Sequence, residues 1–112
     1  MDKVSQPRKI SKNKGTRMKQ VILRITTETG LHARPAAMFV EQTNQYSADV
    51  SIRNLTTQSK WVDAKSIMNV LTLGIEMNHE IELQVNGEDE QQVIENLKTL
   101  VNSGLGDHQM NR

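Results

Sequence analysis

Two apolar rhythms alternate along the chain and divide it into elements. Val21, Leu23 and Ile25 alternate with Ile22, Arg24 and Thr26, the period of two that one buried face imposes on a strand. Beyond Gly30 the spacing changes. Ala36, Phe39, Val40 and Thr43 recur every three or four positions and so share one face of a helix. Ala48, Val50 and Ile52 then alternate with Asp49, Ser51 and Arg53 in a second strand. Trp61 and Val62 suggest a short third, reached through a hairpin from Asn54 to Lys60. Ser66 is a favoured N-cap, and Ile67 to Leu73 reads as a short helix stopped by Gly74. Ile81, Leu83 and Val85 alternate with Glu80, Glu82 and Gln84, a strand with an acidic outer face. After the Asn86-Gly87 turn, Glu88, Asp89 and Glu90 crowd the first turn of a last helix, where they complement its dipole. Its buried stripe is Val93, Ile94, Leu97, Leu100 and Val101, and Gly104-Leu105 closes it. The order βαββαβα predicts an α+β fold, an open-faced β-sandwich with a four-stranded antiparallel sheet and three helices packed on one face.

Composition narrows what such a domain can do. With 112 residues the chain holds one small domain plus tails. It has no cysteine, so neither a disulfide framework nor a thiolate metal site is available. No apolar run is long enough to span a membrane, and a cytoplasmic protein is the expectation. Phe39, Tyr46 and Trp61 are the only aromatic residues, too few for a base-stacking platform. The net charge of +1 hides an asymmetry. Residues 1–19 carry seven basic residues and one acid, net +6; the remainder carries seven basic and twelve acidic, net −5. Residues 1–18 are almost devoid of apolar side chains and are expected to form a disordered basic extension. That extension reads as a solvated tail, as an electrostatic arm for an acidic partner or nucleic acid, or as the result of an upstream start ahead of Met18. Residues 106–112 are expected to fray.

The candidate chemistry lies in Gly30-Leu31-His32-Ala33-Arg34-Pro35-Ala36-Ala37. Proline is accepted in a first helical turn, where its missing N–H has no partner to lose. The spacing predicts a helix from about Ala33 with His32 at its N-cap. The amides of Ala33 and Arg34 are then free, and a helix start with free donors is a natural anion site. An imidazole, two amides and a guanidinium within one turn can hold a phosphoryl group. His79 and His108 lack this context and read as surface residues.

The string Gly-Leu-His-Ala-Arg-Pro-Ala resembles the active-site segment of HPr, the histidine-containing phosphocarrier of the bacterial phosphotransferase system. Tyr46-Ser47-Ala48-Asp49-Val50 is similar to the entry to that family's second strand. Lys65-Ser66-Ile67-Met68 with Leu71-Thr72-Leu73-Gly74-Ile75 is similar to its regulatory-serine helix. The resemblance covers residues 19–105, and the predicted fold is the family's own. It implies that His32 accepts the phosphoryl group on Nδ1, that Arg34 and the Ala33 amide stabilise it, and that Thr29 helps orient the ring. It also implies a relay protein rather than a turnover enzyme, with enzyme I as donor and an enzyme IIA domain or similar protein as acceptor. Neither metal nor cofactor is required. Most members begin close to the first strand, so the basic extension departs from the pattern. The hairpin after Asn54 is about three residues longer than is usual in the sugar-transport branch, an insertion of a kind that loops accept readily. Its Asn54-Leu55-Thr56 sequon is read as coincidental.

Ser66 carries two expectations, a helix cap and, as the resemblance implies, a site for a serine kinase and phosphorylase. If Val70 and Leu73 face the core, Ile67, Met68 and Leu71 form an exposed apolar patch. Together with Ala36 and Ala37 they are the expected docking surface, on a monomer. Two other classes compete: a regulatory protein-binding module of a nitrogen-type or permease-less branch, and a nucleic-acid or surface binder carried by the basic extension.

Overall fold

The computed structural model describes residues 18–106. The expectations for residues 1–17 and 107–112, His108 included, lie outside the described residues. The elements follow the order expected: β1 (Met18–Arg24), α1 (Ala33–Thr43), β2 (Asp49–Asn54), β3 (Val62–Asp63), α2 (Ile67–Leu71), β4 (Glu80–Asn86) and α3 (Glu90–Asn102). One four-stranded sheet runs β1-β4-β2-β3, with every neighbouring pair antiparallel.

The register explains which face is covered. Val21 lies opposite Leu83, which lies opposite Ile52, which lies opposite Val62, so one apolar row crosses all four strands. The helices cover that face. Phe39 of α1 and Val93, Leu97 and Val101 of α3 are wholly buried with Ile52, Ile81, Leu83 and Val50 of the sheet nearly or wholly so. Truncating a buried aromatic such as Phe39 costs about 3–5 kcal/mol, so α1 is anchored firmly enough to hold its N-terminus in place. The next row, Ile22, Glu82 and Arg53, faces outward. There Arg53 pairs with Glu82 at 2.8 Å and lies 5.1 Å over the Trp61 ring, which offsets part of the acidity read from β4.

Four boundaries differ from expectation. β1 begins at Met18, paired with Asn86, so Met18 belongs to the domain and not to the extension. The short third strand is Val62–Asp63 rather than Trp61-Val62, because the ladder to β2 runs through Val62 and Asp63, opposite Ile52 and Ser51, and does not include Trp61. Asp89 is the N-cap of α3, which leaves Glu88 and Asp89 ahead of its first turn and only Glu90 within it. α2 ends at Leu71; Leu73 and Gly74 then bond back to the third residue before each, a tightened turn that carries Gly74 into the left-handed region (φ +59°).

Candidate functional site

The site is built outward from the turn after β1. Thr27 Oγ1 donates to the Gly30 carbonyl at 2.6 Å, and the Gly30 amide donates back to the Thr27 carbonyl at 3.0 Å. Gly30 has φ +66°, and a Cβ there would lie 2.1 Å from the Ile75 carbonyl oxygen. That same oxygen accepts the Leu31 amide at 2.9 Å. Leu31 is itself buried in the core. The backbone is therefore fixed right up to His32, although the histidine side chain is exposed.

His32 is the N-cap of α1, extended at φ −81°, ψ −166°, and its side chain makes no capping hydrogen bond. Its carbonyl accepts the Ala36 amide at 2.8 Å, the first bond of the helix. Pro35 occupies the third helical position, not the first, and has no N–H to offer. The free donors of the opening turn are thus the Ala33 and Arg34 amides. Arg34 is exposed beside them. Across from the ring, His32 Nε2 lies 3.8 Å from a Glu76 carboxylate oxygen, both side chains more than half exposed. Glu76 has no local signal in the sequence, because backbone bonds between distant residues, Leu31 to Ile75 and Ile25 to Asn78 and His79, bring its loop to the turn.

A polar clasp sets α2 against α1. Thr43 Oγ1 donates to the Ala64 carbonyl (3.0 Å), Asn44 Nδ2 to the Lys65 carbonyl (3.1 Å), and Lys65 Nζ to the Tyr46 carbonyl (2.7 Å). Ser66 follows at once and caps α2, accepting the Asn69 amide at 3.3 Å. Val70 and Leu73 face the core, while Met68 is 69 % and Leu71 38 % exposed. An open groove between the two helices is lined by Arg34, Ala37, Met38, Val40, Glu41 and Ile67. Ile67 is half-buried, packed against the core, and Ala37 is exposed. Ala36 has no exposed surface, and the expectation that it contacts a partner is corrected: it lies on the same helix face as Phe39. Met38, 38 % exposed, takes its place on the apolar surface. Thr29 is exposed and, among the described residues, makes no hydrogen bond to the ring; the residue that shapes the turn is Thr27. A threonine three residues before a glycine was the available signal for that turn.

His79 is also corrected. It is half-buried, and its Nδ1 accepts both the Glu76 amide and Asn54 Nδ2 at 3.0 Å. Asn54 is fully buried, donating as well to the Leu73 carbonyl (3.2 Å) and accepting the Thr57 amide (3.3 Å). Its amide is committed inside the fold, which agrees with reading the sequon as coincidental. Among the described residues no group of three or more His, Asp or Glu side chains is placed to hold a metal ion.

The family model described as the PTS HPr component phosphorylation site matches residues 19–103. The chain belongs to the HPr family. It is 39 % identical over 84 residues to the HPr-like protein Crh of Bacillus subtilis, an alignment covering 75 % of this chain and 95 % of that protein. It is 38 % identical to a multiphosphoryl transfer protein of Haemophilus influenzae, again over 75 % of this chain but only 17 % of that much longer protein. The solved structure of HPr-C-His from Thermoanaerobacter tengcongensis superposes with a TM-score of 0.75 at 36 % identity, covering 81 % of this chain and 99 % of that one. The α+β open-faced sandwich is the HPr fold, and the chain is an HPr-family phosphocarrier of the phosphotransferase system. Among the described residues no helix is long and apolar enough to cross a membrane.

Proposed function

We propose that His32 accepts a phosphoryl group, derived from phosphoenolpyruvate, from enzyme I and passes it to an enzyme IIA-type acceptor. The observation that carries this reading is the exposed N-cap imidazole of His32 beside the free amides of Ala33 and Arg34. Neutral imidazole is a competent nucleophile near neutral pH. The Nδ1 lone pair forms the N–P bond while the bond from phosphorus to the donor breaks and its electrons leave with the donor. The phosphate oxygens then find the Ala33 and Arg34 amides and the Arg34 guanidinium, charge-assisted donors that suit a dianion. A relay must also release its group. An exposed site with few ligands meets that need, so the protein acts stoichiometrically rather than as a turnover enzyme, as a cytoplasmic monomer.

The exposed surface of Met38, Met68 and Leu71, beside the groove that Arg34 lines, is the docking face for donor and acceptor alike. Flexible methionine side chains adapt to more than one partner. Phosphorylation of Ser66 by a serine kinase, reversed by a phosphorylase, would place a double negative charge at the edge of this face and hinder an acidic donor.

The test is transfer in both directions. Incubated with phosphoenolpyruvate and a bacterial enzyme I, the protein should take up one acid-labile phosphoryl group and lose it on addition of an enzyme IIA domain. Arg34→Ala should still accept but cycle more slowly, since it removes one charge-assisted partner worth about 1.5–3 kcal/mol at most. Absence of uptake by the folded wild-type protein would end this reading.

A further inference from the structure

The mechanism above leaves Glu76 unused, yet among the described residues its carboxylate is the one acid within 4 Å of the histidine ring, 3.8 Å from Nε2. It is not carried there by a free loop. The Ile75 carbonyl is tied to the Leu31 amide (2.9 Å), the Asn78 amide to the Ile25 carbonyl (2.7 Å), and the Ile25 amide to the His79 carbonyl (2.9 Å). Beneath it, His79 Nδ1 holds the Glu76 amide, and buried Asn54 holds His79. Residues 75–79 are thus laced to the end of β1 and to the neighbour of His32 itself. A loop fixed at four points presents one acid to one imidazole nitrogen.

The chemistry of that contact follows from the two tautomers of neutral imidazole. A carboxylate facing one ring nitrogen favours the proton there, and the other nitrogen is left with its lone pair. We propose that Glu76 is a positioning residue for His32: it keeps the proton on Nε2 and so frees Nδ1 as the nucleophile, while the Asn54–His79 pair fixes the loop that presents it. The proposal rests on the reading of His32 as phosphoryl acceptor. As the N–P bond forms at Nδ1 and the donor bond breaks with its electrons, the ring gains positive charge. The Nε2 proton stays in place, and Glu76 faces the charge that develops. Both side chains lie in solvent, so the effect on rate is modest, about two- to fivefold.

The experiment reads the ring directly and separately from transfer. Nitrogen-15 NMR at alkaline pH, where imidazole is neutral, gives the fraction of His32 protonated on Nε2. That fraction is expected to exceed the value in the urea-denatured chain. It should fall to that value in Glu76→Ala and fall most of the way in Glu76→Gln, which removes the carboxylate charge facing Nε2 from 3.8 Å. Phosphoryl uptake from enzyme I should slow about two- to fivefold in Glu76→Ala. His79→Ala should shift the tautomer fraction in the same direction, through the loosened loop. Equal tautomer fractions in wild type and Glu76→Ala, or equal uptake rates, would overturn the positioning role. A wild type that shows the tautomer bias but takes up no phosphoryl group would overturn the relay reading, and the role of Glu76 in transfer with it.

Discussion

Replacing Gly30 by alanine is expected to damage this protein more than any other single-methyl change at the site. Two terms add. The left-handed backbone at φ +66° costs an L-residue about 1–2 kcal/mol. The new Cβ would also sit 2.1 Å from the Ile75 oxygen and 2.7 Å from the Glu76 Cα, both backbone atoms with no rotamer to yield. Relief requires the turn and the loop to part, which stretches the Leu31–Ile75 bond (2.9 Å) and the Thr27–Gly30 bond (2.6 Å). At about 0.5–1.5 kcal/mol each, the total is about 2–5 kcal/mol. Gly74 supplies the control. It has φ +59°, but nothing lies within 4 Å of its would-be Cβ, so Gly74→Ala bears the backbone term alone. Thermal unfolding followed by circular dichroism should place Gly30→Ala below Gly74→Ala by at least about 4 °C, given about 4–8 °C per kcal/mol in a domain of this size. Gly30→Ala should also lose much of its phosphoryl uptake, because the strain is released beside His32. Two variants melting within about 2 °C of each other would refute the steric argument.

His79→Ala removes the acceptor of two hydrogen bonds and should cost about 1–3 kcal/mol; a calorimetric midpoint equal to wild type would return His79 to the surface. Ser66→Asp keeps a capping side chain at a helix start and should melt like wild type while accepting phosphate from enzyme I more slowly. Uptake at the wild-type rate would leave Ser66 a cap and nothing more. Deleting residues 1–17 should change the uptake rate only a few-fold, whereas a hundredfold drop, about 2.7 kcal/mol in transition-state terms, would assign the basic extension to donor docking.

What was legible in the sequence was what neighbours in the chain decide. The period-two strands, the apolar stripe of α3 and the start of α1 at Ala33 with His32 as N-cap all rest on local spacing and capping chemistry. The folded site adds contacts between residues distant in sequence, for which no local pattern exists. Gly30 reads as a turn residue, but the reason no side chain fits is the Ile75 carbonyl. Asn54 reads as the start of a hairpin, yet its register opposite Ile81 turns its amide onto the core face, where His79, the Leu73 carbonyl and the Thr57 amide satisfy it. Ala36 shows the limit of motif reasoning. Its place in the signature suggested a partner contact, while its helical phase with Phe39 required burial, and packing prevailed.

The most direct measurement is to locate the phosphoryl group. After incubation with phosphoenolpyruvate and enzyme I, peptide mapping by mass spectrometry under alkaline conditions, which preserve phosphohistidine, should find one phosphoryl group, on His32. His32→Ala should fold as wild type does, since an exposed side chain with no capping bond contributes little to stability, and it should take up none. Stoichiometric labelling that persists in His32→Ala, or that maps to another residue of the wild type, would contradict the relay through His32.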